Sequence, residues 1–425
     1  MRQLCCILIA VFLLLTVSAS LLKASEQVTF GGYYKNFSVV YDFPAYKSPL
    51  ALPDQTVAGS VNNRIRLNGH LQFNDWLTFN AAYDFAPRIQ DRLLFNNGIS
   101  LVSINSDGYR ATDLDKRLYP APDDSVSSFA IFQNLDRAFF TIMAPQFDLY
   151  IGRQAIAWGY GHVINPTDVI APYTYSELDT EDRIGVDAIR LRIPIGFMAE
   201  VDVGYVFGDD FKVSHSAYFA RGKFYTARTD LSVLLIGFRE NLLVGLDLTR
   251  DVGDAGFWME AAYVFVNALN KDNVNGNLDY FRGSIGFDYS FWRNSYGYLE
   301  YHFNGAGSNK AESHFDNLST TAYTEGNVFL MGQHYLAPGV SCQLTSLITT
   351  GAEMLINMSD PSVLLSPNLE YNIAQDIYLT AGAYVGVGKR SEIVSGAFPQ
   401  LIQVNYHSEF GYYPDVYYSS FRIYF

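Results

Sequence analysis

The chain has 425 residues, 49% of them hydrophobic, with 31 Tyr, 31 Phe and 33 Gly and a net charge of −14 at neutral pH. That negative balance argues against nucleic acid as a partner, because a polyanion is bound by neutralising its phosphates. Mean hydropathy is near zero, and beyond the N-terminus no stretch is apolar for long enough to cross a membrane as a helix, which takes about 20 residues.

Met1-Arg2-Gln3 is a short basic start, followed by an apolar run from Leu4 to Val17 and the small residues Ser18-Ala19-Ser20. Charge, length and small-residue exit are those of a secretory signal peptide, cleaved after Ala19 or Ala24, and the run is too short for a membrane anchor. Residues 1–24 are therefore expected to be a cleaved leader, and 25–425 a single domain, since no linker, low-complexity tract or repeat divides them. Cys5 and Cys6 leave with the leader, and Cys342 alone remains, so the mature chain holds no internal disulfide.

From there the chain alternates. Ile65, Leu67, Gly69, Leu71 and Phe73 face one way, and Arg64, Arg66, Asn68, His70 and Gln72 the other. After a tight turn at Asn74-Asp75, Leu77, Phe79, Ala81, Tyr83 and Phe85 oppose Thr78, Asn80, Ala82 and Asp84. The same pattern returns around Val201, Ile285, Tyr301 and Ala381. A period of two means strands, and these runs have the length of tilted membrane-spanning strands, about 9–11 residues. Strands are expected near 28–41, 61–73, 77–86, 134–143, 147–156, 186–194, 197–207, 216–228, 231–238, 242–249, 257–266, 279–289, 296–304, 326–337, 348–359, 363–373, 377–388 and 416–425. That makes about 18, with 16 the main alternative, in an all-β, transmembrane, antiparallel up-and-down β-barrel.

Connections come in two sizes. Short ones sit at Asn74-Asp75, Ala144-Pro145-Gln146, Ile195-Gly196, Trp292-Arg293-Asn294 and Ala374-Gln375-Asp376; long ones cover roughly 42–60, 87–128, 157–184, 304–325 and 389–415. Short periplasmic turns alternating with long outer loops is the barrel pattern, and it puts both termini on the short-turn side. The hairpin at Arg239-Glu240-Asn241 must then lie on the outer side.

With the apolar faces turned to lipid, the inner wall carries Arg64, Arg66, Arg190, Arg192, Arg282 and Arg422, with Asp84, Glu200, Asp202, Asp247, Glu260, Asp288, Glu300, Glu353 and Glu370. An Arg or Lys facing lipid at the midplane costs about 2–4 kcal/mol, which forces such groups inward. A barrel this wide cannot be filled by its own side chains and leaves an aqueous channel. The candidate pore-lining set is Arg64, Arg66, His70, Asp84, Arg190, Arg192, Glu200, Asp202, Arg282, Asp288, Glu300 and Arg422. Arginines favour anions in a pore and grip carboxylate or phosphate with two parallel hydrogen bonds. Arg64, Arg66 and Arg422 are expected to meet at the seam where the last strand pairs with the first. The bland reading is that such groups pair across neighbouring strands.

The segment Gly152-Arg153-Gln154-Ala155-Ile156-Ala157-Trp158-Gly159-Tyr160-Gly161-His162-Val163-Ile164-Asn165-Pro166-Thr167-Asp168 stands out. Its glycines allow sharp bends, and Pro166 and Pro172 stiffen the exit. The Gly-Arg-Gln…Trp-Gly…Asn-Pro-x-Asp pattern resembles porin-like outer-membrane families, including barrels similar to alginate-export channels. The expected constriction loop carries Trp158, Tyr160, His162, Asp168, Glu177, Asp179, Glu181 and Asp182. It either folds into the lumen, with its acidic end opposing wall arginines, or lies over the rim.

At the C-terminus, Tyr417, Ser419, Phe421, Ile423 and Phe425 oppose Tyr418, Ser420, Arg422 and Tyr424. An amphipathic last strand ending on Phe425 looks like the signature that the barrel-assembly machinery reads in Gram-negative outer-membrane barrels. The resemblances imply a passive outer-membrane channel for small hydrophilic solutes in contact with lipid and lipopolysaccharide, and the Arg-bearing, mixed-charge lumen tilts the expected solutes toward anionic or polyhydroxy compounds. A polysaccharide-export channel with a periplasmic partner, and a structural barrel sheathing a partner protein, are the alternatives; a homo-oligomer is compatible with each. No cofactor is expected. His215 and His407 each neighbour a Ser, but neither sits in a catalytic motif, and Asp107-Gly108 and Asp113-x-Asp115 read as solvated turns rather than calcium ligands.

Overall fold

Alternation of period two decides the architecture, because it gives each strand two unlike faces and a sheet whose edges must find partners. The computed structural model describes residues 27–44, 57–92, 94, 108–175, 177–270, 278–292, 294–314, 316–390, 392–394 and 403–425. The expected leader lies outside the described residues.

Eighteen antiparallel strands form the wall. They are β1 (Gln27–Asp42), β2 (Val57–Asn74), β3 (Leu77–Gln90), β4 (Phe129–Ala144), β5 (Phe147–Gln154), β6 (Val186–Ile195), β7 (Ala199–Val206), β8 (Ala217–Thr226), β9 (Thr229–Phe238), β10 (Asn241–Val252), β11 (Ala255–Phe265), β12 (Tyr280–Phe291), β13 (Ser295–Asn304), β14 (His334–Thr345), β15 (Ile348–Asn357), β16 (Ser362–Ala374), β17 (Ile377–Val387) and β18 (Asp415–Tyr424). β18 pairs back onto β1, from Tyr424 against Tyr33 to Asp415 against Asp42, and this closes the cylinder. Closure is what lets a sheet cross lipid, where an unpaired backbone group costs several kcal/mol. A three-residue strand, Arg117–Tyr119, pairs with the outer end of β4.

The two faces are inverted relative to a soluble protein. Ile65, Leu67, Leu235, Ile285 and Phe287 stand exposed around the outside, while Arg64, Arg66, Asp84, Glu260 and Glu300 are buried within. Trp76, Phe197 and Trp292 project from short turns, at the end where Phe425 finishes the chain; aromatic rings favour the level of the lipid headgroups. The hairpin at Arg239-Glu240 falls at the long-loop end, as strand parity required.

Two expectations change. The strand placed at 326–337 is β14, His334–Thr345. Val328 and Leu330 alternate because they pack inward as loop, not because they line a wall. Pro338-Gly339 lies inside the strand, against Leu299 and Tyr298. Gly339 is needed there because the Tyr298 ring occupies the space of its missing side chain. The inner face is also not polar throughout. Toward the long-loop end Leu234, Ile236 and Phe238 of β9 and Val264 of β11 face inward and bury Trp158, Val169, Ile170 and Val328. A second cluster joins Ile164 and Leu330 to Tyr335, Leu355, Leu364 and Phe410. Each such side chain contributes about 1.5–3 kcal/mol when fully buried, so inward-folded loops are held by the same force that elsewhere builds a core.

Candidate constriction inside the barrel

The distinctive segment leaves the wall at the end of β5. Arg153 fixes the departure: its Nε donates to Asp187 at 2.7 Å, and its Nη1 to Asp113 at 2.8 Å and to the Leu135 carbonyl at 2.9 Å. Gly152 and Gly159 both adopt φ above +100°, a region that side chains disfavour. Trp158 then packs edge-on against Phe219 of β8, with ring centres 4.6 Å apart.

Beyond Trp158 the backbone runs along two wall carboxylates. Tyr160 and Gly161 donate their N–H groups to Glu260 Oε2 at 3.1 and 3.3 Å. Thr167 donates its N–H and its hydroxyl to Glu260 Oε1, both at 2.7 Å. His162, Val163 and Ile164 donate theirs to Glu300 at 2.8, 3.4 and 3.0 Å. Successive N–H groups turned to one side make a concave seat for an acceptor, and here the acceptors are carboxyl side chains of β11 and β13. The His162 ring stacks on Trp258 at 4.1 Å, and Trp258 Nε1 donates to Glu300 at 3.1 Å.

The chain then returns. Asp168 pairs with Arg183 at 2.6 Å. Asp179 sits between Lys35 of β1, at 2.7 Å, and Arg64 of β2, at 3.0 Å. Glu181 lies 2.7 Å from Lys35 and accepts the Tyr424 hydroxyl at 2.6 Å. Asp182 accepts the Tyr33 hydroxyl at 2.7 Å and lies 3.7 Å from Arg66. In the strand order β2 and β11 stand half-way round from each other, so the segment crosses the interior.

Most wall arginines are matched by the protein's own carboxylates. Arg64 grips Asp84 through two bonds of 3.0 and 2.9 Å, and Arg66 donates to Asp136 at 2.7 Å. Arg190 grips Asp202 at 2.9 and 2.6 Å, and Arg192 pairs with Glu200 at 2.6 Å. Arg422 does not join Arg64 and Arg66: it turns to Glu370 and to Thr380, 3.1 Å away, leaving Lys35 between the two in the ladder. His70 meets Asn80 at 2.8 Å, and Asp288 accepts the Gly256 N–H at 3.2 Å.

Arg282 differs. It is only 5% exposed and forms no ion pair among the described residues, and its Nε lacks a hydrogen-bond partner there. It lines a cavity of about 460 Å³ with Glu177, Arg183, Asn304, Tyr384 and Tyr418. Burial pushes the Glu177 carboxyl up to about 7 and that of Asp168 up to about 6, the latter opposed by Arg183. Burial also disfavours charge on Asp179, but Lys35 and Arg64 outweigh it and hold that carboxyl below the ordinary range.

Lys35, Asp136 and Arg183 escaped the sequence reading. Only the pairing of β1 with β2 sets Lys35 opposite Arg64, and register of that kind is not written in either strand alone. Glu260 was read as inward-facing, but not as the seat of a loop. Asp113 binds Arg110 at 2.6 Å and Arg153 at 2.8 Å, which makes it an ion-pair partner rather than a solvated turn residue; Asp107 lies outside the described residues. Among the described residues no three His, Cys, Asp or Glu gather as metal ligands do.

No family model and no curated protein matches the sequence. Solved structures do match in fold. Acinetobacter baumannii OccAB3 superposes with a TM-score of 0.55 at 12% identity, over 94% of this chain and 99% of that one. The chain has the fold of Gram-negative outer-membrane β-barrels. Pseudomonas aeruginosa OccK5 (OpdH) superposes at 0.53 with 8% identity, over 95% and 99% of the two chains. The outer membrane protein opdK of the same organism gives 0.53 at 8% identity, over 94% and 99%. At such identities these likenesses establish the shared barrel, and the contents of this lumen have to be argued from its own residues.

Proposed function

We propose that the protein is a passive outer-membrane channel for small hydrophilic solutes, narrowed by the segment 157–184 and biased toward anionic or polyhydroxy compounds. The observation that carries this reading is Arg282: a buried guanidinium that forms no ion pair among the described residues, on a cavity that the crossing segment bounds. A solute carboxylate would supply the partner that Arg64, Arg66, Arg190 and Arg192 already have within the protein. Asn165, Asn304, Asn327 and Asn368 line the same cavity and offer donors and acceptors to hydroxyl groups.

Reversal potentials in planar bilayers under a salt gradient test the bias. We expect anion preference in the parent, and a fall of about twofold in the anion-to-cation permeability ratio in Arg282→Gln, since arginine in a pore favours anions. A parent that prefers cations, or a ratio unmoved by Arg282→Gln, contradicts the reading.

A further inference from the structure

Wall carboxylates are usually read for what they do to permeating ions. Glu260 and Glu300 do something else. Each is almost wholly buried and takes backbone N–H groups rather than an ion-pair partner, with Asp247 standing opposite Glu260 in the ladder. Glu260 takes the N–H of Tyr160, Gly161 and Thr167 and the hydroxyl of Thr167; Glu300 takes those of His162, Val163 and Ile164 and the indole of Trp258. Five consecutive residues of the crossing segment, Tyr160 to Ile164, are thus hydrogen-bonded to two side chains of the opposite wall.

We propose that Glu260 and Glu300 are the positioning residues of the constriction. They hold the crossing segment across the lumen by its main chain, and so set the width of the pore without meeting the solute. This rests on the channel reading above. The other end of the segment is held differently. There the carboxylates belong to the loop and the cations to the wall, and the Glu181 side chain is 43% exposed. Asp179, by contrast, is buried against Lys35 and Arg64, so that end is pinned by side chains, whereas the Glu260–Glu300 end is held by main-chain N–H groups that are left unpaired when the carboxyl groups are removed. Loss of Glu260 and Glu300 therefore frees the stretch from Tyr160 to Ile164, while Asp179 still ties the far end to β1 and β2.

The sequence fits the clasp from the loop side. Gly159 has φ +107°, and a side chain there would overlap Asn165 Oδ1 and Glu260 Oε2. The Trp-Gly-Tyr-Gly stretch thus gives Glu260 the close approach to the backbone that its bonds require.

Single-channel recording of the purified full-length barrel in planar bilayers provides the test, with heat-modifiable electrophoretic mobility confirming assembly. In Glu260→Ala/Glu300→Ala we expect open-channel conductance to rise about twofold, or to become noisy as the unclasped segment moves in the lumen. Gly159→Ala strikes the same clasp without touching either glutamate, and should change conductance in the same direction; it decides the matter if the double variant fails to assemble. Asp230→Asn, which removes a wall acid 3.5 Å from Lys223, should leave conductance at the parent value. An assembled double variant, or Gly159→Ala in its place, with the parent's conductance and noise overturns the positioning role and leaves the channel reading standing. A parent that gives no conductance steps overturns the channel reading itself, and the positioning role with it.

Discussion

Arg64 shows how much of this lumen is occupied by its own charges. It meets Asp84 and Asp179 in a setting where its side chain is 7% exposed and Asp84 is fully buried. Removing one partner of a buried pair costs about 3–5 kcal/mol, because the remaining charge stays buried and uncompensated. Arg64→Ala should therefore lower markedly the temperature at which the folded band converts to the unfolded one in electrophoresis. Arg192→Ala should barely move it, since that pair is about one-third exposed on the Arg side and such pairs stabilise little. Equal shifts in the two variants would refute the distinction. The arginines themselves were legible in the sequence, through alternation with Ile65 and Leu67. Of their partners, Asp84 and the acidic loop end with Asp179 were among the acids expected to face them, whereas Asp136 was not, because only strand register brings it to Arg66.

At the scale of elements, the loop 157–184 behaves as a crossing strap with titratable contents. Glu177 carries a folded-state value raised to about 7 by burial. It is charged above that pH and neutral below it, so acidification removes a negative charge from the cavity shared with Arg183 and Arg282. Anion preference should rise as pH falls from 8 to 6, and Glu177→Gln should remove the part of that rise centred near 7, leaving the part that Asp168, raised to about 6, contributes at lower pH; reversal potentials measured across the range decide it. A profile indifferent to pH in the parent, or unchanged in the variant, counts against the assignment. In the wall, Gly339→Val should block assembly, because Tyr298 fills the space above Gly339, and recovery of the heat-modifiable band measures this directly. The strap's motif and its acidic end stood out in the sequence, but its path did not, since the choice between rim and lumen depends on Glu260 and Glu300, which are far along the chain. The strand at His334–Thr345 was misplaced for a related reason: an inward-packed loop repeats the apolar alternation of a strand.

At the scale of the whole molecule, eighteen strands with an apolar exterior make a barrel whose interior is partly filled by the strap. Architecture and strand parity could be read from alternation and turn lengths, since both are local. The apolar inner face at the long-loop end could not, because it exists to bury loops whose destination is decided by the closed ring. The most direct measurement is the single-channel conductance of the parent beside a variant lacking residues 160–182. The account predicts discrete open steps in the parent and larger steps in the deletion. No steps, or the same conductance in both, would contradict it.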